Sequence, residues 1–171
     1  LYNAIFYAGL EDVYHFPHTI YFTRYPEGIE ATLGYPEPDL IFRNNTESHL
    51  LIRTEYTGTS ITVKMFGDNG GIDVVAEKSG RYGRHSPITA YAVNEDLDHC
   101  TYPSREQSKE VDKGSPGWWI KVYRIITYPE GHYAKPEGGE TTEEWVVHYE
   151  GAFNLFEYNP VEPPGGCPPP P

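Results

Sequence analysis

The clearest strand signal in the chain is the run Gly117-Trp118-Trp119-Ile120-Lys121-Val122-Tyr123-Arg124-Ile125-Ile126-Thr127. Its residues are mostly β-branched or aromatic, and such residues favour strands. The turn signal Tyr128-Pro129-Glu130-Gly131 follows it, and residues 143–149 supply an answering strand. Residues 117–160 are therefore predicted to form a β-rich hairpin unit, with one last short strand at 154–158.

Upstream of this unit, short runs of strand-forming residues alternate with turn signals. Pro36 and Pro38 block a helix before the second run, and the polar residues 44–48 predict a tight connection after it. An alternation of apolar and polar side chains marks the last run. The pattern predicts an antiparallel meander of four strands, at residues 18–24, 39–43, 50–56 and 60–66.

The first residues follow a helical pattern, because Leu1, Ala4, Ile5 and Ala8 fall on one face and Gly9 stands where a helix could stop. No N-cap residue precedes them, so we expect a helix cut from a longer one and a chain that is a C-terminal piece of a larger protein. The predicted class is α+β, mostly β: a helix remnant packed on the meander, followed by the hairpin unit.

The chain divides by composition into four segments. Residues 1–67 hold the helix and meander, residues 68–116 form a loop-rich connection, and residues 117–160 are the hairpin unit. Residues 161–171 form a proline-rich tail, which favours polyproline II over a packed core.

Composition excludes several function classes. The 171 residues include 13 Lys plus Arg and 25 Asp plus Glu, which gives a net charge of −12. A nucleic acid needs a basic face, so it is excluded as a partner. The chain has 15 Tyr and 3 Trp, and this aromatic content predicts a folded protein rather than a disordered one. No apolar run reaches the roughly 20 residues that span a bilayer.

The two cysteines, Cys100 and Cys167, lie in no zinc-like pattern. In an exported protein they most simply form one disulfide, which would stabilise the fold by roughly 4 kcal/mol. Two free thiols are the alternative in a cytosolic protein. We favour the disulfide, since a cysteine in a proline-rich tail has no packing role.

Four polar residues are the first candidate site: His18, Arg24, Glu30 and Asp39. A carboxylate–histidine–arginine set can bind a ligand or transfer protons, and an ion-pair network that holds loops together is the alternative. His15 and His18 would point to opposite faces of an extended segment, so we predict structural histidines and no metal site. No cofactor motif is present, and no catalytic residue is assigned.

Aromatic residues form the second candidate site. Trp118, Trp119 and Tyr123 are a candidate binding surface, because aromatic rings stack on sugar faces. The alternative is that they pack in the protein core. Side chains alternate along a strand, so Trp118 and Trp119 cannot both face inward.

Several segments resemble the VanW family, which is associated with vancomycin-resistance clusters. The similar segments are Leu1-Tyr2-Asn3-Ala4, Ala8-Gly9-Leu10-Glu11, His15-Phe16-Pro17-His18, Arg24–Thr32, Leu51-Ile52-Arg53 and, most strongly, Asp39-Leu40-Ile41-Phe42-Arg43-Asn44-Asn45-Thr46. The chain has Ile29-Glu30 where the family usually has Arg-Asp. The later unit loosely resembles G5-type modules of cell-wall-binding proteins.

The resemblance implies an extracytoplasmic protein of the cell envelope, at the cell surface or secreted, and it implies no reaction. The leading hypothesis is a non-catalytic module that binds cell-wall glycan (peptidoglycan) or a protein partner, either another envelope protein or the N-terminal part of the same precursor. The second hypothesis is a fragment of a peptidoglycan-modifying enzyme, because the family's candidate cysteine lies upstream of Leu1. The third is a subunit of a larger surface assembly.

Overall fold

The structure is a computed structural model that describes residues 1–168. The predicted α+β, mostly β class is confirmed. The elements, in chain order, are α1 (Tyr2–Tyr7), β1 (Glu11–Tyr14), β2 (Ile41–Arg43), β3 (Leu51–Tyr56), β4 (Ile61–Phe66), β5 (Asp73–Lys78), β6 (Tyr82–His85), β7 (Thr89–Val93), β8 (Lys109–Asp112), β9 (Gly117–Thr127), β10 (Glu140–Tyr149) and β11 (Asn154–Tyr158). The last three residues of the predicted proline-rich tail, 169–171, lie outside the described range.

The chain forms two compact units. The first comprises Leu1–Tyr82 and Trp119–Val147, and the second comprises Gly83–Trp118 and the chain from His148 onward. The boundary falls within β6, β9 and β10, so each of these strands contributes residues to both units. The four-segment division along the sequence stays a prediction.

Within residues 1–168, the strands form four sheets. Two of them have two strands each, β1 with β2 and β3 with β4, and both pairs are antiparallel. The largest sheet has the order β10-β9-β5, with β6 also paired to β9. In the remaining sheet, β11 lies between β7, to which it is parallel, and β8, to which it is antiparallel.

The predicted meander is wrong in two details. Residues 18–24 form turns instead of a strand, closed by backbone hydrogen bonds from Tyr25 to Phe22 (3.0 Å) and from Thr32 to Phe16 (2.7 Å). Moreover, β2 pairs with β1 and not with β3. The ion pair between Arg43 and Glu11, at 2.8 Å, fits this register because the two residues are directly opposite.

The core of the first unit lies on one face of β9. Ile120, Val122 and Ile126 are buried there, together with Val147 of β10. From α1, the buried side chains are Tyr2, Ile5 and Phe6, so the buried face is rotated from the predicted one and Leu1 is exposed. The aromatic residues Tyr2 and Phe6 bury more apolar area than the Ala residues of the predicted face.

One charged residue shares the buried face of β9. Arg124 is 2% exposed, donates a hydrogen bond to the Leu10 carbonyl (2.9 Å) and pairs with Glu143 at 2.6 Å. Its guanidinium also lies 5.5 Å from the centre of the Phe6 ring. The side chain thus joins β9 to the end of α1 and to β10 within the first unit.

The predicted disulfide between Cys100 and Cys167 is confirmed, and it lies in the second unit. The loop around Cys100 is anchored in two further ways. The Asn159 amide donates to the carbonyls of Glu95 (3.1 Å) and Leu97 (2.8 Å). A hydrogen bond from the Thr101 hydroxyl, and then one from the Cys100 N–H, lower the pKa of the exposed Asp98 carboxyl. This loop is therefore held in place although it lies outside the sheets.

None of the helices in residues 1–168 is long and apolar enough to cross a membrane.

Candidate functional site

The turn segment that replaces the predicted first strand carries the candidate site. Its end is held by Gly28, whose φ of +77° suits glycine and whose Cα would place a Cβ 2.4 Å from Val122 Cγ2. The Gly28 carbonyl accepts a hydrogen bond from Trp145 Nε1 at 3.3 Å. Glu27 is buried and pairs with Lys78 (3.2 Å) and Arg81 (2.7 Å). The segment is thus fixed against the core and positions the residues before it.

His18 and Glu30 are adjacent. His18 Nδ1 lies 3.4 Å from Glu30 Oε2, and the Glu30 side chain is 1% exposed. A buried carboxylate beside an imidazole restricts the orientation of the ring. The pair can therefore orient a ligand or transfer a proton.

Two aromatic rings flank His18. Tyr25 is stacked on it, with ring centres 5.2 Å apart and planes at 10°, whereas Phe22 meets it edge-on at 5.7 Å. An open cavity of about 400 Å³ is lined by His18, Phe22, Thr23, Arg24 and Tyr25. We call this the His18 cavity. Phe22 and Tyr25 remain partly exposed, so both rings are available to a ligand.

The structure brings three of the four predicted polar residues to one place. Arg24 lines the His18 cavity, and Glu30 lies behind His18. Asp39 lies elsewhere, in a separate cavity of about 230 Å³ with Tyr14 and Ile41. The role of these residues in binding a ligand stays a prediction.

His15 has its own carboxylate partner, which sequence analysis missed. His15 Nδ1 lies 2.5 Å from Asp12 Oδ2, and the Tyr2 hydroxyl donates to the same oxygen at 3.0 Å. The sequence signal for this pair was the spacing of Asp12 and His15, which are three positions apart. His15 and His18 contact different carboxylates, and no group of three metal-binding side chains occurs among residues 1–168.

Burial and neighbouring groups shift the pKa values of Asp12 and Tyr2, which contact each other beside His15. Desolvation would raise the pKa of Asp12, but hydrogen bonds from His15 and Tyr2 and the charges of His15 and Arg124 together lower it. For Tyr2, desolvation and then the neighbouring Asp12 carboxylate raise the pKa of the phenol. Both shifts favour the arrangement of a neutral Tyr2 donating to an ionised Asp12.

We expect the contribution of Asp12 to stability to depend on pH. Because its folded pKa is lowered, the contribution is fully present above the ordinary value of 3.8 and is lost as the pH falls below it. Asp12→Asn should therefore destabilise the protein at pH 7, and this effect should shrink progressively as the pH falls below 3.8. Urea unfolding of both proteins across this range measures the difference, and a difference that does not depend on pH would contradict the assignment.

The three residues of the candidate aromatic surface do not lie on one face of β9. Trp118 is half-buried and packs on Tyr149, with ring centres 5.4 Å apart. Trp119 (37% exposed) and Tyr123 lie on the other face of β9, opposite the face that carries Ile120 and Val122. As predicted, only one of the two tryptophans is exposed.

Comparison with known proteins finds similarity for the first part of the chain. Residues 1–66 match the family described as "VanW like protein". The protein YoaR of Bacillus subtilis (strain 168) is 32% identical over 69 residues, which are 40% of this chain and 23% of that protein. No solved structure matches. The G5-like resemblance of residues 117–160 lies outside these matches and stays a prediction. The resemblance identified from the sequence is thus confirmed for the N-terminal part: residues 1–66 are a VanW-like region, and they contain the His18 cavity.

Proposed function

We propose that this chain is a non-catalytic binding module of the cell envelope, and that it holds a wall glycan in the His18 cavity. The observation that carries the proposal is the pair of partly exposed rings, Phe22 and Tyr25, that contact a polar His18 and line the same cavity. Binding sites commonly combine apolar and aromatic walls with a few placed polar groups.

The lining residues suit a sugar better than an extended anion. The rings offer apolar faces to the C–H groups of a pyranose, and His18, Thr23 and Arg24 can bond its hydroxyl or acidic substituents. A polyanionic wall polymer would meet a chain of net charge −12, which opposes its approach.

Two further observations support an envelope location. The Cys100–Cys167 disulfide is typical of proteins that fold outside the cytosol. The VanW-like region implies the same setting by resemblance. In this account, Glu30 is a positioning residue, because its buried carboxylate lies 3.4 Å from the His18 ring that lines the cavity.

Retention on purified peptidoglycan tests the proposal. We expect the protein to co-sediment with the wall material and Tyr25→Ala to bind several-fold more weakly, since an aromatic contact contributes about 0.5–1.5 kcal/mol. Tyr56→Ala is the matched control, because Tyr56 is 85% exposed and lies on β3, outside the cavity.

Three outcomes would overturn parts of this proposal. No retention of the unmodified protein would rule out the glycan. Equal loss of binding in both tyrosine variants would rule out the cavity. Release of soluble sugar fragments during the incubation would show that the module is catalytic.

A further inference from the structure

Two histidines, His85 and His148, contact each other in the second compact unit, whereas the His18 cavity belongs to the first. His85 is on β6 and His148 is on β10, and their Nε2 atoms are 3.1 Å apart. Two nitrogens that share one metal ion at about 2.0–2.1 Å are separated by about 2.8–3.4 Å, for angles between 90° and the tetrahedral value. The observed distance falls within that range.

The tautomer of His85 also suits metal binding. Its Nδ1 lies 3.2 Å from the Ser86 carbonyl, which can only accept, so Nδ1 carries the proton in this hydrogen bond. In a neutral ring, Nε2 then holds a lone pair that points toward His148. Metal-binding histidines usually donate their other N–H to a carbonyl or carboxylate in this way.

The surroundings leave room for the ring and for further ligands. Gly117 allows the close approach of His85, since a Cβ there would lie 2.3 Å from the ring. An open cavity of about 550 Å³ borders His85 and is also lined by Asn154, Lys113 and Arg84. The two cations are exposed, so solvent screens their repulsion of a bound metal. Water can complete the coordination.

We propose that His85 and His148 form a two-histidine seat for a divalent transition metal such as Zn²⁺, Ni²⁺ or Cu²⁺. Imidazole nitrogen suits these ions, whereas Mg²⁺ and Ca²⁺ prefer oxygen ligands. On binding, the metal takes the position of the shared proton on His148 Nε2. A neutral His148 ring carries that proton on Nδ1 instead, and a doubly protonated ring releases it to solvent. This proposal does not depend on the proposed glycan function.

Calorimetric titration of the untagged chain with Zn²⁺ tests the proposal. We expect one ion per chain, and we expect His148→Ala to weaken binding by at least the roughly tenfold that loss of an outer-shell partner costs. His49→Ala is the matched control, because His49 is an exposed histidine that lies in the first unit. It should bind Zn²⁺ like the unmodified chain.

A measurement without any substitution guards against a variant that fails to fold. In the Cu²⁺ complex of the unmodified chain, electron paramagnetic resonance should show splitting from two imidazole nitrogens. A spectrum without two coordinating nitrogens, absence of Zn²⁺ binding, or equal affinity in the folded His148→Ala variant would each overturn the proposal.

Discussion

Arg124→Ala is expected to lower the free energy of unfolding by about 3–5 kcal/mol. The change removes a side chain that is 2% exposed and leaves the buried Leu10 carbonyl without its donor at 2.9 Å. It also removes the contact with Phe6 and opens a cavity beneath α1. Its partner Glu143 is 47% exposed, so that carboxylate regains water and adds little to the cost. The unsatisfied carbonyl and the lost packing therefore dominate.

Urea unfolding of two further variants separates these causes. Arg124→Met keeps most of the packing but loses the hydrogen bond, and we expect a loss of about 1–3 kcal/mol. Arg43→Ala is the matched control: this arginine also pairs with a glutamate, at 2.8 Å, but is 66% exposed. Exposed pairs contribute at most about 1 kcal/mol. Similar losses for Arg124→Ala and Arg43→Ala would contradict the structural role of Arg124.

Loss of the disulfide is the second large effect. Cys100 and Cys167 are separated by 67 positions, and closing a loop of that size stabilises a fold by roughly 4 kcal/mol in the chain-entropy model. We expect the Cys100→Ser/Cys167→Ser variant to lose about this amount. Amide hydrogen exchange should localise the loss to the second unit, which contains both cysteines.

Chemical reduction provides the control for this prediction. Reduction of the unmodified protein should reproduce the loss, and the double serine variant should not respond to reductant. An unchanged unfolding midpoint after complete reduction would show that the bond does not stabilise the second unit.

Strong local signals in the sequence predicted part of the fold well. The strand predicted at 117–127 is β9, and the one predicted at 154–158 is β11, with the same bounds. In both strands, the local preference of β-branched and aromatic residues for strand structure agrees with the sheet that each strand joins. Residues 18–24 show the limit of such signals. Phe22 in this segment and Tyr25 just after it contact the His18 ring, and the buried Glu30 and Glu27 pair with residues on either side of the turn. A local pattern cannot reveal those contacts.

The candidate sites also show that local patterns can be predicted from the sequence, whereas contacts between distant residues cannot. His18, Arg24 and Glu30 lie close together in the chain and could be grouped from the sequence. The pairing of His85 with His148 could not, because 63 positions separate them and only the arrangement of β6 and β10 brings them together. The strands β1, β6 and β8 were also missed. All three are short, with four residues each, so none has enough alternation to be recognised.

Mapping a soluble peptidoglycan fragment onto the protein by NMR tests the central proposal most directly. We predict that backbone and ring signals of residues 18–25 shift with a single saturable affinity, and that Tyr25→Ala removes these shifts while Tyr56→Ala keeps them. Shifts confined to the face of β9 that carries Trp119 and Tyr123, or no shifts at all, would contradict the proposal that the His18 cavity binds the glycan.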